Sequence, residues 1–167
     1  EGDRNNPYDF DDYLFVRDNY NYYKDDQFLQ ALVKHYIPDD DLEEIDRDLK
    51  ALSEYVSFRF RDLAEEANEL ENRLKVTKIK HYDAHNHRID RIERCGETET
   101  LEKEIFSLGL FDPTRNSAWS RFAKMFLLYQ NSEAGVMCPI ACTHGMVEFL
   151  NKYEDKLDPE ARKILHH

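Results

Sequence analysis

The sequence predicts an all-α protein of about six helices. Three observations carry that class. Apolar residues recur at spacings of three and four from Phe28 to Leu150, the period of a helix that buries one face. The 167 residues include only five glycines and five prolines, scattered along the chain. That is too few for a turn-rich sandwich or a Gly-rich phosphate loop. The apolar fraction of 41%, with 13% aromatic, is enough for one domain with a real core and too rich for a disordered tail.

Residues 1–27 form the first unit. Tyr8, Phe10, Tyr13, Phe15, Tyr20, Tyr22 and Tyr23 alternate with Asp and Asn, and no helical period survives. The expectation is an extended aromatic arm that lays its rings on the body and keeps its carboxylates wet. Residues 28–167 form the helical domain. Phe28, Leu29, Leu32, Val33 and Tyr36 make the first stripe, and Pro38 stops it. Asp39, Asp40 and Asp41 then supply a cap and a negative first turn, which suits the positive end of a helix dipole.

The longest periodic run follows: Leu42, Ile45, Leu49, Leu52, Val56, Leu63, Ala67, Leu70 and Leu74. As pure helix it is about 50 Å long at about 1.5 Å per residue. Phe58 and Phe60 disturb the stripe, so a break is expected within 55–61. Residues 81–90 lose the helical pattern. They predict a turn with short extended flanks, with Asn86 at a left-handed position.

Helix returns with Leu101, Ile105 and Leu108, capped near Thr98 and ended by Gly109. After Asp112-Pro113 comes a strong helix carrying Ala118, Trp119, Phe122, Ala123, Phe126, Leu127 and Gln130, broken by Gly135. The next is expected to begin near Cys138-Pro139, where proline fits a first turn. A last short helix starts at Asp158-Pro159-Glu160.

Charge and motifs exclude more than they assign. Lys and Arg number 23 against 35 Asp and Glu, a net charge of −12. The cations that release counterions from nucleic acid are therefore lacking, and no nucleic-acid partner is expected. No apolar run approaches the roughly 20 residues of a membrane span. The opening Glu1-Gly2-Asp3-Arg4 shows neither a signal-peptide pattern nor an initiator methionine. A trimmed piece and a cytoplasmic setting are the expectation.

Cys95, Cys138 and Cys142 lack the spacing of a disulfide framework. Cys138 and Cys142, four apart, can share a helix face and are expected as small buried apolar residues. The carboxylate-bridged metal bundles need Glu-x-x-His. Leu32, Lys78, Tyr82, Ala84 and Ala141 stand three before His35, His81, His85, His87 and His144 instead. His85 and His87 with Asp83 make a metal site only if a fourth group joins them. Their expected setting is a solvated turn.

Residues 117–150 contain Glu133-Ala134-Gly135, then Cys138-Pro139-Ile140 and Thr143. This segment resembles the N-terminal helical domain of acyl-CoA dehydrogenases, in the branch of the AidB-like proteins. Tyr82-Asp83-Ala84 and Arg88-Ile89-Asp90 look like that family's Tyr-Asp-x-x-Gly-x-Arg-Ile-Asp turn, with Asn86 in the glycine's place. Asn5 to Pro7 and the aromatic arm look like its extended N-terminus. Leu157 to Leu165 resembles the short helix that closes the domain.

The resemblance implies a parent with a middle β-domain and a C-terminal helical domain. Those parts hold most of the flavin adenine dinucleotide (FAD) site and the carboxylate that takes the α-proton of an acyl-CoA thioester. The β-hydride passes to the flavin. An acyl-CoA substrate and an electron acceptor follow from the same resemblance. The apolar wall that normally faces the other domains would promote self-association, so a homo-oligomer is expected. The 167-residue piece alone is expected to be inactive, with no catalytic residue, no metal and no bound cofactor. Its share is one wall of the acyl pocket, with Met137, Cys142, Thr143 and Met146 as candidate lining. Gly145 in the same helix costs roughly 1 kcal/mol against Ala, which close approach of a ligand or another helix would offset. The alternative is a stand-alone helical interaction module without catalysis.

Overall fold

The longest apolar run of the sequence builds the central rod of the molecule. The computed structural model describes residues 9–69, 78–131 and 133–165. In chain order the helices are α1 (Asp11–Asn19), α2 (Gln27–Tyr36), α3 (Asp39–Glu54), a π-helical turn (Tyr55–Phe60) and α4 (Arg61–Asn68). A hairpin of β1 (Lys78–Tyr82) and β2 (Arg88–Glu93) follows. Then come α5 (Gly96–Phe106), α6 (Ala118–Tyr129), α7 (Ala134–Lys152), a 3-10 turn (Glu154–Lys156) and α8 (Pro159–Leu165). The all-α class holds, with this two-stranded ribbon as the β-structure of the described residues. None of the described helices is long and apolar enough to cross a membrane.

α3, the π turn and α4 run on as one rod. It lies against α2 and α6 at its start and against α5 at its end, while α7 packs on α5 and α8. Leu49, Val56 and Phe60 from the rod meet Leu101 and Ile105 of α5, Leu127 and Leu128 of α6, and Ile140 of α7 in one core. The helix does not break within 55–61 as expected; it continues there as the π turn. It brings Ser57 inward, where its Oγ accepts the Tyr22 N–H at 2.8 Å.

The first unit differs from the expected extended arm, because residues 11–19 are helical. α1 buries none of its side chains, so no apolar period was there to find. End groups hold it instead. Asp9 Oδ1 accepts the Asp11 N–H at 2.9 Å, and Arg61 Nη1 donates to the Arg17 carbonyl at 2.9 Å. Arg17 also pairs with Glu65. Two of the arm's rings part company: Tyr23 is buried in the core while Phe15 is exposed.

Caps explain other shifts. Asp26 accepts the Leu29 N–H at 2.8 Å and opens α2. Pro38 is the N-cap of α3; the three aspartates fill its first turn without capping it. α5 begins at Gly96 with Cys95 as its N-cap, so Thr98 is not the cap but a buried first-turn residue whose hydroxyl meets Cys95 Sγ at 3.0 Å. Gly109 lies beyond the end of α5, at φ +64°. Asp158 Oδ1 accepts from Glu160 and Ala161 N–H at 2.9 and 2.8 Å, and Pro159 opens α8, as expected.

In the ribbon Ile79 pairs with Ile92 and Tyr82 with Arg88. Asn86 takes the left-handed conformation at φ +64°, and the Asp83 carboxylate accepts the N–H groups of His85 and His87. Asn5, Pro7, Tyr8, Leu70, Leu74, His166 and His167 lie outside the described residues.

Candidate functional site

The sequence resemblance singles out α6 and α7. Ser117 Oγ accepts the Ser120 N–H and starts α6. Its small and aliphatic residues Ala123, Leu127 and Leu128 turn inward, and Trp119, Phe122, Phe126 and Tyr129 stay on the surface. Trp119 stacks on Tyr36 of α2 with ring centroids 5.0 Å apart. Between α2 and α6 runs an open apolar groove of about 410 Å³ lined by Leu29, Leu32, Phe122 and Phe126 among others.

α7 begins earlier than its proline suggests. Glu133 is the N-cap: Oε1 accepts the Gly135 N–H at 3.0 Å, and Oε2 accepts from Asn68 Nδ2 of α4 at 3.0 Å. Gly135 is therefore a first-turn residue, not a breaker, and Cys138-Pro139 lies inside the helix. The early start sets the phase. Val136, Met137 and Ile140 face the core, while Cys138, Cys142, Gly145, Met146 and Phe149 lie on the open side.

These placements sort the expected lining residues. Met137 is 5% exposed and belongs to the core. Thr143 is half-buried at the edge of the open stripe. Cys142 is exposed and Met146 is 57% exposed, so these two share the stripe. Cys138 and Cys142 are not the buried small residues expected; both are exposed. Burial was the default for free thiols, but the core of α7 is filled from the opposite side. A Cβ added at Gly145 would meet nothing within 4 Å, so no helix of the described bundle approaches it.

Phe149 and Cys138 are exposed residues of α7 that sequence reasoning missed as part of its open stripe. The available signal was that α7 is apolar on all sides. Val136, Met137 and Ile140 are buried on one side of it, while Cys138, Cys142, Met146 and Phe149 are exposed on the other. Tyr129 ties the two helices, its hydroxyl donating to the Met137 carbonyl at 3.3 Å. Burial raises its phenol pKa, with the neighbouring Cys138 and Cys142 sulfurs adding to the shift. Arg121 of α6 pairs with Glu148 of α7 on the flank.

The family model of the adaptive response protein AidB N-terminal domain matches residues 16–167. Acyl-CoA dehydrogenase family member 11 of Caenorhabditis elegans is 28% identical over 138 residues, covering 78% of this chain and 21% of that protein. The crystal structure of Caenorhabditis elegans ACDH-11 in complex with C11-CoA superposes with a TM-score of 0.69 at 24% identity. That match covers 87% of this chain and 26% of the other, so the chain spans about a quarter or less of the relatives it matches. With nearly its whole length matched, the chain belongs to the AidB N-terminal domain family and is an acyl-CoA dehydrogenase-type N-terminal domain.

Proposed function

We propose that this chain is the N-terminal domain of a flavin-dependent acyl-CoA dehydrogenase-like oxidoreductase, and that the open side of α7 forms part of its acyl pocket wall. The observation that carries the reading is the exposed stripe Cys138, Cys142, Gly145, Met146 and Phe149 on a helix apolar all round. An acyl tail takes an apolar slot with few polar groups, and methionine adapts to tails of different shape. In this reading Cys142 and Met146 touch the tail, Gly145 lets it approach the backbone, and Thr143 borders the slot. Met137 supports the wall from behind. The complex of the solved relative with C11-CoA supports an acyl-CoA as the ligand class.

FAD does not fit the residues of this face alone. Ala134 to Phe149 contains no Lys or Arg to meet a pyrophosphate. The cofactor, the catalytic carboxylate and the contact with the electron acceptor therefore belong to the rest of the parent, which acts as a homo-oligomer in the cytoplasm. The test is Gly145→Leu in the full-length parent. Turnover of acyl-CoA is expected to fall about 100-fold, the scale of a misplaced substrate, with flavin content unchanged. Equal turnover of short and long acyl-CoA by the variant and the wild type removes the reading.

A second reading, a helical interaction module without catalysis, draws on the open aromatic groove between α2 and α6. The parent gene separates the two. A β-rich stretch and a further helical stretch after His167 support the enzyme, and a stop codon there supports the module.

A further inference from the structure

A polar cleft of about 400 Å³ shares no residue with the α7 stripe. Residues of α1 and α4, Tyr22, and Gln130 and Asn131 just beyond α6 line it. Asn131 is 4% exposed, and its Oδ1 accepts the Glu133 N–H at 2.9 Å. That bond needs an oxygen, so it fixes Nδ2 as the other branch of the amide. Nδ2 is buried and finds no acceptor among the described residues. Gln130 stands next to it in the chain and lines the same cleft, and its side-chain amide makes no hydrogen bond among the described residues. Folded proteins pair their buried donors, so Asn131 calls for an acceptor from outside the bundle.

The surroundings select the ligand class. Arg17 pairs with Asp18 and with Glu65 of α4. Arg61 is 8% exposed, pairs with Asp62 and donates to the Arg17 carbonyl. Both cations are engaged, and three carboxylates face them, so an anion finds no free charge. A cation would leave the Asn131 donor unpaired. The ligand is therefore neutral. Tyr13 and Tyr22 add aromatic rings to the lining. Burial raises the Tyr22 phenol pKa, Arg61 and Arg17 oppose the shift, and Glu65 and Tyr13 add to it, so the hydroxyl stands among these groups. A donor at Asn131 and a free carboxamide at Gln130 ask for an acceptor and an N–H side by side. A trans peptide shows its C=O and N–H on opposite sides. A cyclic amide shows both on one edge.

We propose that this cleft binds a neutral planar ring by its cyclic-amide edge, the class of a uracil or hypoxanthine base. The ring carbonyl accepts from Asn131 Nδ2, and the neighbouring ring N–H donates to Gln130 Oε1. Carboxamide side chains read base edges through such donor–acceptor pairs. Tyr13 and Tyr22 offer ring faces on which a base stacks. The inference stands on the cleft and not on the acyl reading, since the chain is tested without flavin or acyl-CoA.

The experiment is a uridine titration of the isotope-labelled 167-residue chain, read at the side-chain amide signals of Asn131 and Gln130 by nuclear magnetic resonance. Both signals are expected to shift and to saturate at millimolar uridine. N3-methyluridine lacks the ring N–H and is expected to bind about 10-fold more weakly, the scale of one hydrogen bond. Uridine monophosphate adds charge and is expected to bind no better than uridine. Asn131→Asp keeps an acceptor for the Glu133 N–H, removes the donor and is expected to abolish saturation. Gln130→Ala, at a half-buried side chain without a partner among the described residues, is expected to lose about 10-fold. Circular dichroism monitors folding, and Gln130→Ala decides if Asn131→Asp does not fold. An Asn131 signal that uridine leaves unmoved makes a bound water its partner and overturns the site. Equal binding of N3-methyluridine, tighter binding of the monophosphate, or wild-type affinity in Gln130→Ala overturns it as well.

Discussion

The Tyr23 ring is 1% exposed and its hydroxyl donates to Asp46 Oδ1 at 2.8 Å. Burial pushes the Tyr23 phenol up, and the bond to Asp46 adds to the shift. Burial also acts to raise the Asp46 carboxyl, but hydrogen bonds from Lys50 and Tyr23 outweigh it and hold the group below its ordinary value. A depressed carboxylate contributes stability above its unfolded pKa of about 3.9. That contribution is lost as pH falls through the lower folded value. Tyr23→Phe is therefore expected to cost about 1.5 kcal/mol in urea unfolding at pH 7. The gap from wild type should close in acid, and a gap that stays constant down to pH 2 excludes the Asp46 link. None of this was legible in the residue types, because Tyr13 and Tyr23 have similar acidic neighbours. Only the packing of α2 and α3 decides which ring is buried. Gly145 carries a simpler expectation. With open space around its Cβ position, Gly145→Ala stabilises this chain by about 1 kcal/mol, read as a higher melting temperature.

At the scale of elements, the rod shows how a helix absorbs a faulty repeat. Leu52, Val56, Phe60 and Ala64 are all buried, and each lies four positions after the one before. A regular helix has about 3.6 residues per turn, so three such steps drift off the core face by about a third of a turn. The wider π turn at Tyr55–Phe60 takes up the excess. The disturbed stripe was visible in the sequence, but its remedy was not, since a loop and a π turn disturb the stripe alike. The same turn hands Ser57 to the Tyr22 N–H. Ser57→Ala strands that donor and is expected to cost about 1–2 kcal/mol by urea unfolding. A neutral substitution shows that water replaces the hydroxyl. In α7 the misleading signal was Pro139, which is compatible with a first turn. The Glu133 carboxylate, shared between Gly135 and Asn68, starts the helix earlier and decides which side Met137 faces.

At the scale of the whole molecule, the family and the helical class were legible because they rest on long periods and on two motif-bearing segments. The open face was not, because inward and outward apolar residues look alike on a helix that is apolar all round. That face is expected to give the chain a tendency to pair. Exposed apolar patches drive association, while a net charge of −12 opposes it. Sedimentation is expected to show a concentration-dependent dimer. Phe149→Asp, at a ring 56% exposed, should return it to monomer with helix content unchanged. A wild-type chain that stays monomeric at millimolar concentration counts against the idea.

The ribbon of β1 and β2 has a different fate. Its residues are exposed along almost their whole length, and its ion pairs Lys80–Glu93, His81–Asp90 and Arg88–Asp90 are internal. Two strands alone are marginal in water. On warming, this finger can unzip while the bundle keeps its interior intact, so the melting of the protein begins where the least is at stake.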